Sequence, residues 1–191
     1  ALRGEESDGD EAFVKELCKD LGVECLCVRF DTTGYAREKG ISIEMAAREL
    51  RYEWFERMRA EYGCDYIAVA HNLNDQVETF FLNLCRGTGL KGLCGMEWMN
   101  GRVVRPFLGV TRDEILAYVG EYRLDQTNAD IRYKRNRIRH RIVPEMTEMN
   151  PSFLKTMEKN MPNNKKNIAA AAANGMIRFS CSYDMFISSS A

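Results

Sequence analysis

The chain has 191 residues, 45% of them hydrophobic, and its charged side chains give a formal net charge of −1. This length and apolar content suffice to bury one domain core and the beginning of a second, which excludes a disordered or fibrous chain. Because the net charge is nearly zero, any binding of nucleic acid has to come from a local cluster of cations.

Cysteine usage indicates a reducing compartment. The seven cysteines form an odd number without a C-x-x-C pair, and the chain has only two histidines. This pattern argues against a thiolate zinc site and favours small buried thiols. The sequence has neither a run of 18 apolar residues nor a charged-then-apolar leader. We therefore predict a cytoplasmic protein with no membrane partner.

Predicted strands and helices alternate along the chain, which favours an α/β fold with a Rossmann-like parallel sheet flanked by helices. The long second helix has Ser42 as its predicted N-cap and Met45, Leu50, Trp54 and Met58 pointing inward. The first strand is apolar enough to be buried on both faces. The predicted helices are 10–21, 42–62, 75–85 and 111–122, and the predicted strands are 23–31, 65–71 and 101–107.

The fourth helix begins with a capping box, in which Thr111 is the cap and Glu114 follows three residues later. After Pro144 the pattern becomes entirely helical. We therefore predict that a helical region follows the α/β domain.

Two acids lie where the strand ending at His71 meets the next helix. In an open parallel sheet, ligands bind beyond the carboxyl ends of the strands. On a helical wheel, Asp75 and Glu78 lie away from the apolar stripe, which is formed by Val77, Phe80, Phe81 and Leu84. The pair could hold a divalent cation or accept a proton from a nucleophile. Alternatively, acids in a first turn offset the helix dipole, and a histidine that closes a strand is often a core residue.

The glycine-rich stretch RGTGLKGLCG follows this helix, at residues 86–95. It matches neither the P-loop nor the dinucleotide-binding pattern. A helix C-cap at Gly87 and an RNA-contacting loop are both consistent with it.

The densest positive charge lies in the stretch RYKRNRIRHR at residues 132–141, which has six Lys or Arg residues and no acid. Guanidinium groups bind phosphate with two hydrogen bonds, and Tyr or Arg planes stack on unpaired bases. Solvated helix faces normally intersperse acids among the cations. The run therefore favours a polyanion site, either for ATP phosphates or for RNA.

Five co-linear blocks resemble the tRNA(Ile)-lysidine synthetase family of the PP-loop ATPase superfamily, whose fold is adenine nucleotide alpha-hydrolase-like. These blocks are ALRGEESDGDEAFV, AARELRYEWF, AHNLNDQVETFFLNLCRGTGLKGLCGM, RPFLGVTRDEILAYV and DQTNADIRYKRNRIRHRIVPEM, and together they cover most of residues 1–146. The resemblance implies an ATP-dependent ligase that adenylates the C2 oxygen of the wobble cytidine in a tRNA(Ile) with a CAU anticodon. The amine of free L-lysine then displaces AMP to form lysidine.

The resemblance also implies roles for individual residues. Asp75, Glu78 and Arg139 correspond to active-site residues of the family, and Asp75 is also the predicted magnesium ligand. Asp75 would deprotonate the lysine amine, Glu78 would recognise lysine or metal, and the arginines would hold phosphate or the target nucleotide. ATP and magnesium are the implied cofactors, and a homodimer is expected. The predicted nucleotide- or tRNA-binding residues are His71, Arg86, Arg135 and Arg137.

The family's S-G-G-x-D-S phosphate loop is not in this sequence and is expected upstream of Ala1. Asn74 stands where many relatives carry a second Asp. We therefore predict a PP-loop catalytic domain at 1–145 without its phosphate loop, and a linker with a helical region at 146–191. Two alternatives stay open. They are a PP-loop tRNA-thiolation enzyme, disfavoured by the lack of C-x-x-C, and a non-catalytic RNA-binding module.

Overall fold

A computed structural model of the chain describes residues 2–120, 122–123 and 130–161. The described residues divide into two compact units, one ending at Ile67 and the other beginning at Ala68. Most of the predicted helical region at 146–191 lies outside the described residues, so the predicted division into a catalytic domain and a helical region stays a prediction.

The described residues are mainly helical, with three short strands. The helices are α1 (Leu2–Asp20), α2 (Thr32–Lys39), α3 (Ile43–Glu61), α4 (Leu73–Arg86), α5 (Leu90–Leu93), α6 (Arg112–Tyr118), α7 (Lys134–Arg137), α8 (Val143–Met149) and α9 (Phe153–Asn160). A π-helical turn, Ile138–Ile142, connects α7 to α8. The strands are β1 (Ile67–Ala68), β2 (Met99–Asn100) and β3 (Val103–Val104).

The first unit is built around α3, whose predicted start is confirmed. Ser42 Oγ accepts a hydrogen bond from Met45 N–H at 3.2 Å, which caps the helix. Trp54 is buried as predicted, whereas Met45 is 52% exposed, so its inward position was wrong. The predicted stripe extended into the first turn of α3, where the cap and not a core contact fixes the chain.

The strand predicted at residues 23–31 is wrong. In the structure residues 23–29 have no regular secondary structure, Phe30 makes an isolated bridge, and Asp31 caps α2, a helix that the sequence analysis missed. Val23 and Cys27 are exposed, so burial on both faces is also wrong. A strand requires backbone partners, and in the described part of this unit the regular elements before Ile67 are helices.

The sheet is smaller than predicted and is not purely parallel. Its order is β1-β3-β2, and β2 pairs with β3 antiparallel, with Met99 opposite Val104. Only Gly101 and Arg102 separate the two strands, and a connection this short enforces an antiparallel hairpin. The sequence analysis took residues 101–107 as one strand and missed β2. The coarser α/β class stands, with helices predominating among the described residues.

Helix α4 is the central element of the second unit. Gly87 ends it in the left-handed conformation, at φ +73°, which confirms the predicted C-cap. The ring of Phe81 packs against that of Phe153 in α9, with 6.4 Å between ring centroids. Val77 is fully buried as predicted, but Leu84 is 51% exposed, so the predicted apolar stripe is shorter than the helix.

No helix in the described residues is both long enough and apolar enough to cross a bilayer.

Candidate functional site

A capping box fixes the first turn of α4. Asn72 Oδ1 accepts a hydrogen bond from Asp75 N–H at 3.1 Å, and Asp75 Oδ2 accepts one from Asn72 N–H at 3.0 Å. The sequence analysis gave stabilisation of the helix start as the alternative role of these acids. That alternative is correct for Asp75, because its side chain belongs to the capping box. One of its carboxylate oxygens, Oδ1, takes no part in this capping box.

Glu78 lies one turn further along α4 and is only 1% exposed. Arg139 Nε donates to Glu78 Oε1 at 2.6 Å, and Arg139 Nη2 donates to Oε2 at 3.1 Å, so the pair is bidentate. Arg135 Nε lies 3.4 Å from Glu78 Oε2. The expectation that both carboxylates avoid the core is wrong for Glu78, because two arginines from a distant part of the chain cover it.

Asp75 completes the arrangement through Oδ1, which lies 3.7 Å from Arg139 Nη2 and 3.9 Å from Arg112 Nη2. Its side chain is 16% exposed. We call these five residues, Asp75, Glu78, Arg112, Arg135 and Arg139, the carboxylate–arginine cluster. It holds three guanidinium groups and two carboxylates, so its formal charge is positive by one.

Helical phase explains why the cluster forms. Asp75 and Glu78 are three residues apart on α4, and Arg135 and Arg139 are four apart on the segment from α7 into the π-helical turn, so each pair shares one face of its helix. The π turn begins at Ile138, which is buried, and carries Arg139. Extra residues in such turns alter the direction of the side chains that follow, and π turns are frequent at functional sites.

Thr79 connects helix α4 to helix α7 beside the cluster. Its hydroxyl donates to the Asp75 backbone carbonyl at 2.8 Å and accepts a hydrogen bond from Arg135 Nη2 at 2.9 Å. Arg135 is thus held by Thr79 and Glu78 together. The hydroxyl fixes this arginine in direction without adding charge.

The basic run divides into two faces. Arg135 and Arg139 turn toward α4, while Lys134, Arg137 and Arg141 are exposed. In the part of the chain that the structure describes, none of these three lies within ion-pair distance of a carboxylate. Arg137 is therefore not brought to the cluster, and we call Lys134, Arg137 and Arg141 the outer cations.

The remaining predicted residues lie around α4 but outside the cluster. His71 is half-buried and directly precedes the Asn72 cap. Arg86 is exposed in the last turn of α4, eight residues beyond Glu78, which corresponds to about 12 Å along the helix axis. Their predicted nucleotide- or tRNA-binding roles stay predictions.

Sequence analysis missed Arg112 and Thr79. Arg112 follows the predicted cap Thr111, and the capping box with Glu114 is confirmed. The backbone N–H of Thr111 and the ammonium of Lys155 lower the pKa of Glu114 to about 2. A helix start predicted after a strand was the available signal for Arg112, because such starts lie at the ligand-binding rim of an α/β sheet.

The donor set does not fit a magnesium ion held by protein side chains alone. Both oxygens of Glu78 accept from Arg139, and Asp75 Oδ2 accepts from the Asn72 backbone. Three guanidinium groups surround the two carboxylates, which repels a divalent cation. Among the described residues no group of three or more His, Cys, Asp or Glu is placed to hold a metal ion. Magnesium at Asp75 stays a prediction.

Comparison with known proteins identifies the family. The model of the PP-loop domain family matches residues 1–146, so the chain belongs to the PP-loop family. Within that class, the chain is 54% identical over 167 residues to the tRNA(Ile)-lysidine synthase of Porphyromonas gingivalis strain W83, covering 85% of the chain and 37% of the relative. The resemblance inferred from sequence is thereby confirmed.

Two further tRNA(Ile)-lysidine synthases are similar. That of Bacteroides thetaiotaomicron is 51% identical over 155 residues, which are 79% of the chain and 36% of the relative. That of Bacillus subtilis is 40% identical over 166 residues, which are 83% of the chain and 35% of the relative. The chain thus spans little more than a third of the length of these relatives.

Proposed function

We propose that the full protein is a tRNA(Ile)-lysidine synthetase. In this reaction the C2 oxygen of the wobble cytidine attacks the α-phosphorus of ATP and pyrophosphate leaves. The amine of free L-lysine then attacks C2, and the C2–O bond breaks to release AMP. The observation that carries the proposal is the carboxylate–arginine cluster, in which two acids from α4 meet arginines more than 50 residues downstream.

We assign to Asp75 the contact with the lysine amine. A lysine amine is protonated in water and must lose a proton before it attacks, so a carboxylate beside the reacting carbon is the group required. Oδ1 of Asp75 suits this role, since Oδ2 is held by the helix cap and the side chain is partly accessible. Glu78 is less suitable because it is buried and bound to Arg139 on both oxygens.

Glu78 is instead proposed as a positioning residue. The two hydrogen bonds that Glu78 accepts from Arg139 fix the plane of that guanidinium. The contact between Glu78 and Arg135 helps to hold the guanidinium of Arg135 in position. A positive group held in place before reaction stabilises charge on a departing phosphate without reorganisation. Arg139 and Arg135 are accordingly assigned to the phosphates or to the target nucleotide.

The outer cations, together with Arg86 and His71, are proposed to contact the tRNA. The outer cations are exposed and have no carboxylate within ion-pair distance among the described residues, which suits the phosphate backbone that dominates the affinity of proteins for nucleic acids. This assignment uses both faces of one basic segment, the inner face for chemistry and the outer face for RNA. ATP as substrate, magnesium bound with its phosphates, a homodimer and a cytoplasmic location belong to the same proposal.

The test is a turnover assay with the full-length protein. Purified protein is incubated with ATP, L-lysine and a tRNA(Ile) transcript with a CAU anticodon, and AMP and lysidine are measured. We expect AMP release that requires both lysine and tRNA. A thiolated nucleotide from a sulfur donor would favour the thiolation enzyme, and tRNA binding without AMP release would favour the non-catalytic RNA-binding module.

A further inference from the structure

Arg112 is fastened to the first turn of α4 at the cluster. Its backbone N–H donates to Asn74 Oδ1 at 2.8 Å, and two residues earlier Val110 accepts a hydrogen bond from Leu73 N–H at 2.9 Å. These contacts connect residues more than 35 positions apart in sequence. Asn74 therefore has a role that its amide oxygen can fill, namely holding the start of α6 beside Asp75.

The guanidinium of Arg112 is held much more loosely than its backbone. Its side chain is 33% exposed, and within the described residues its one polar side-chain contact is Asp75 Oδ1 at 3.9 Å. That separation exceeds a hydrogen bond. By contrast, Arg139 is 15% exposed and donates two hydrogen bonds to Glu78. The backbone of Arg112 is therefore fixed in position, while the N–H donors of its guanidinium stay available to a ligand.

From this geometry we infer that Arg112 binds an anionic oxygen group of a substrate, held at the cluster by its contact with Asn74. The inference rests on the proposed function, in which the two small-molecule substrates carry such groups, lysine its carboxylate and ATP its phosphates. A guanidinium offers a planar fork of donors that matches either oxyanion. The positive formal charge of the cluster also favours an incoming anion.

The structural alternative is a simple exposed ion pair between Arg112 and Asp75. Pairs of that kind contribute little to stability and nothing to substrate affinity. The two readings therefore differ in a measurable quantity, the apparent KM for a charged substrate.

The experiment compares Arg112→Gln, Arg112→Lys and the control Arg102→Gln in the full-length protein. Arg102 is an exposed arginine in the hairpin turn between β2 and β3, so it receives the same change of charge away from the cluster. For each protein, KM and kcat are measured for ATP, for L-lysine and for L-lysine methyl ester, which lacks the carboxylate charge. Thermal melting of each variant verifies folding.

Loss of a charge-assisted contact is expected to raise KM at least about 10-fold in Arg112→Gln. An increase for L-lysine without one for its methyl ester identifies the carboxylate as the bound group, and an increase for ATP identifies phosphate. Arg112→Lys should recover part of the affinity, because it keeps the charge and loses the fork. Arg102→Gln should match the wild type.

The inference is overturned if every KM of Arg112→Gln stays within about twofold of wild type, whatever happens to kcat. It is also overturned if KM rises equally for lysine and its methyl ester while that for ATP is unchanged. If the wild-type protein forms no lysidine, the proposed function fails, and the Kd for ATP then decides for Arg112. Weaker ATP binding by Arg112→Gln supports the inference, and equal binding ends it.

Discussion

The two faces of the basic run 132–141 have the same chemistry in sequence and opposite environments in the structure. On the inner face, Arg139 is largely buried and bound to Glu78 on both oxygens. On the outer face, Lys134, Arg137 and Arg141 are exposed. Charge density along the chain therefore predicts a polyanion site but does not identify the cations that build it. The helical phase relative to the acids of α4 makes that distinction.

The largest expected effect is on stability, from removing the acid that the inner face binds. Glu78→Ala removes the acceptor of both hydrogen bonds that the largely buried Arg139 donates to it, and breaking a buried pair in this way costs about 3–5 kcal/mol. Urea denaturation of the variant and wild type measures the difference in the free energy of unfolding. The matched control is Glu145→Ala on α8, an exposed acid, which should change stability by about 0.5 kcal/mol or less. If both variants lose the same free energy of unfolding, the buried pair of Glu78 and Arg139 does not stabilise the fold more than an exposed acid does.

The next effect concerns catalysis and compares one arginine from each face. Arg139→Gln should lower the rate of lysidine formation by about 100-fold or more, since it removes a fixed positive group from the cluster. Arg137→Gln, two residues away but on the outer face, should change kcat by less than about threefold. Both rates are measured with saturating tRNA, so that weakened tRNA binding does not obscure the difference. Similar losses of kcat would abolish the distinction between the faces.

A smaller effect is expected on tRNA affinity when the outer cations are removed together. The triple variant Lys134→Gln, Arg137→Gln and Arg141→Gln should bind tRNA more weakly. The slope of log K against log salt concentration should also become shallower by about two to three units. Filter binding at several salt concentrations provides both quantities. An unchanged slope would mean that the outer face does not contact the phosphate backbone.

The smallest effect lies in the exposed pair of Glu114 and Lys155, which provides a reference for the buried pair. The pKa of Glu114 falls from 4.5 to about 2 because it accepts from Thr111 N–H and lies beside Lys155. A lowered folded-state pKa stabilises the fold fully above pH 4.5, and this contribution disappears as pH falls toward 2. Glu114→Gln should therefore lower the melting temperature slightly at pH 7 and not at pH 2. NMR titration of the Glu114 carboxyl checks the pKa itself, and a normal value would contradict the account.

Local signals in the sequence predicted much of the second unit. The C-cap at Gly87 and the capping box from Thr111 to Glu114 are fixed by neighbouring residues, so they are visible without knowledge of the fold. The pairing of acids near residue 75 with downstream arginines was inferred from the family resemblance. Its geometry agrees with that inference, although the roles of the individual residues stay proposals.

What sequence reasoning missed depends on contacts between distant segments. The helical wheel placed Glu78 away from the apolar stripe, and a wheel contains no information on Arg139, which lies 61 residues away in sequence and buries the acid. The apolar run at 23–31 was likewise judged by composition, although a strand also needs a partner for its backbone. The position of Arg112 beside Asp75 was missed because its contact with Asn74 joins segments 38 residues apart in sequence.

Conversion of Asp75 to Asn tests the central claim most directly. The variant keeps a side-chain oxygen that can accept from the Asn72 backbone, so the helix cap survives while the carboxylate charge is lost. In the full-length protein we expect tRNA binding and melting temperature close to wild type, with lysidine formation nearly abolished. Mass spectrometry verifies the substitution in the purified variant. If this variant forms lysidine at the wild-type rate, the assignment of Asp75 to the reaction is contradicted.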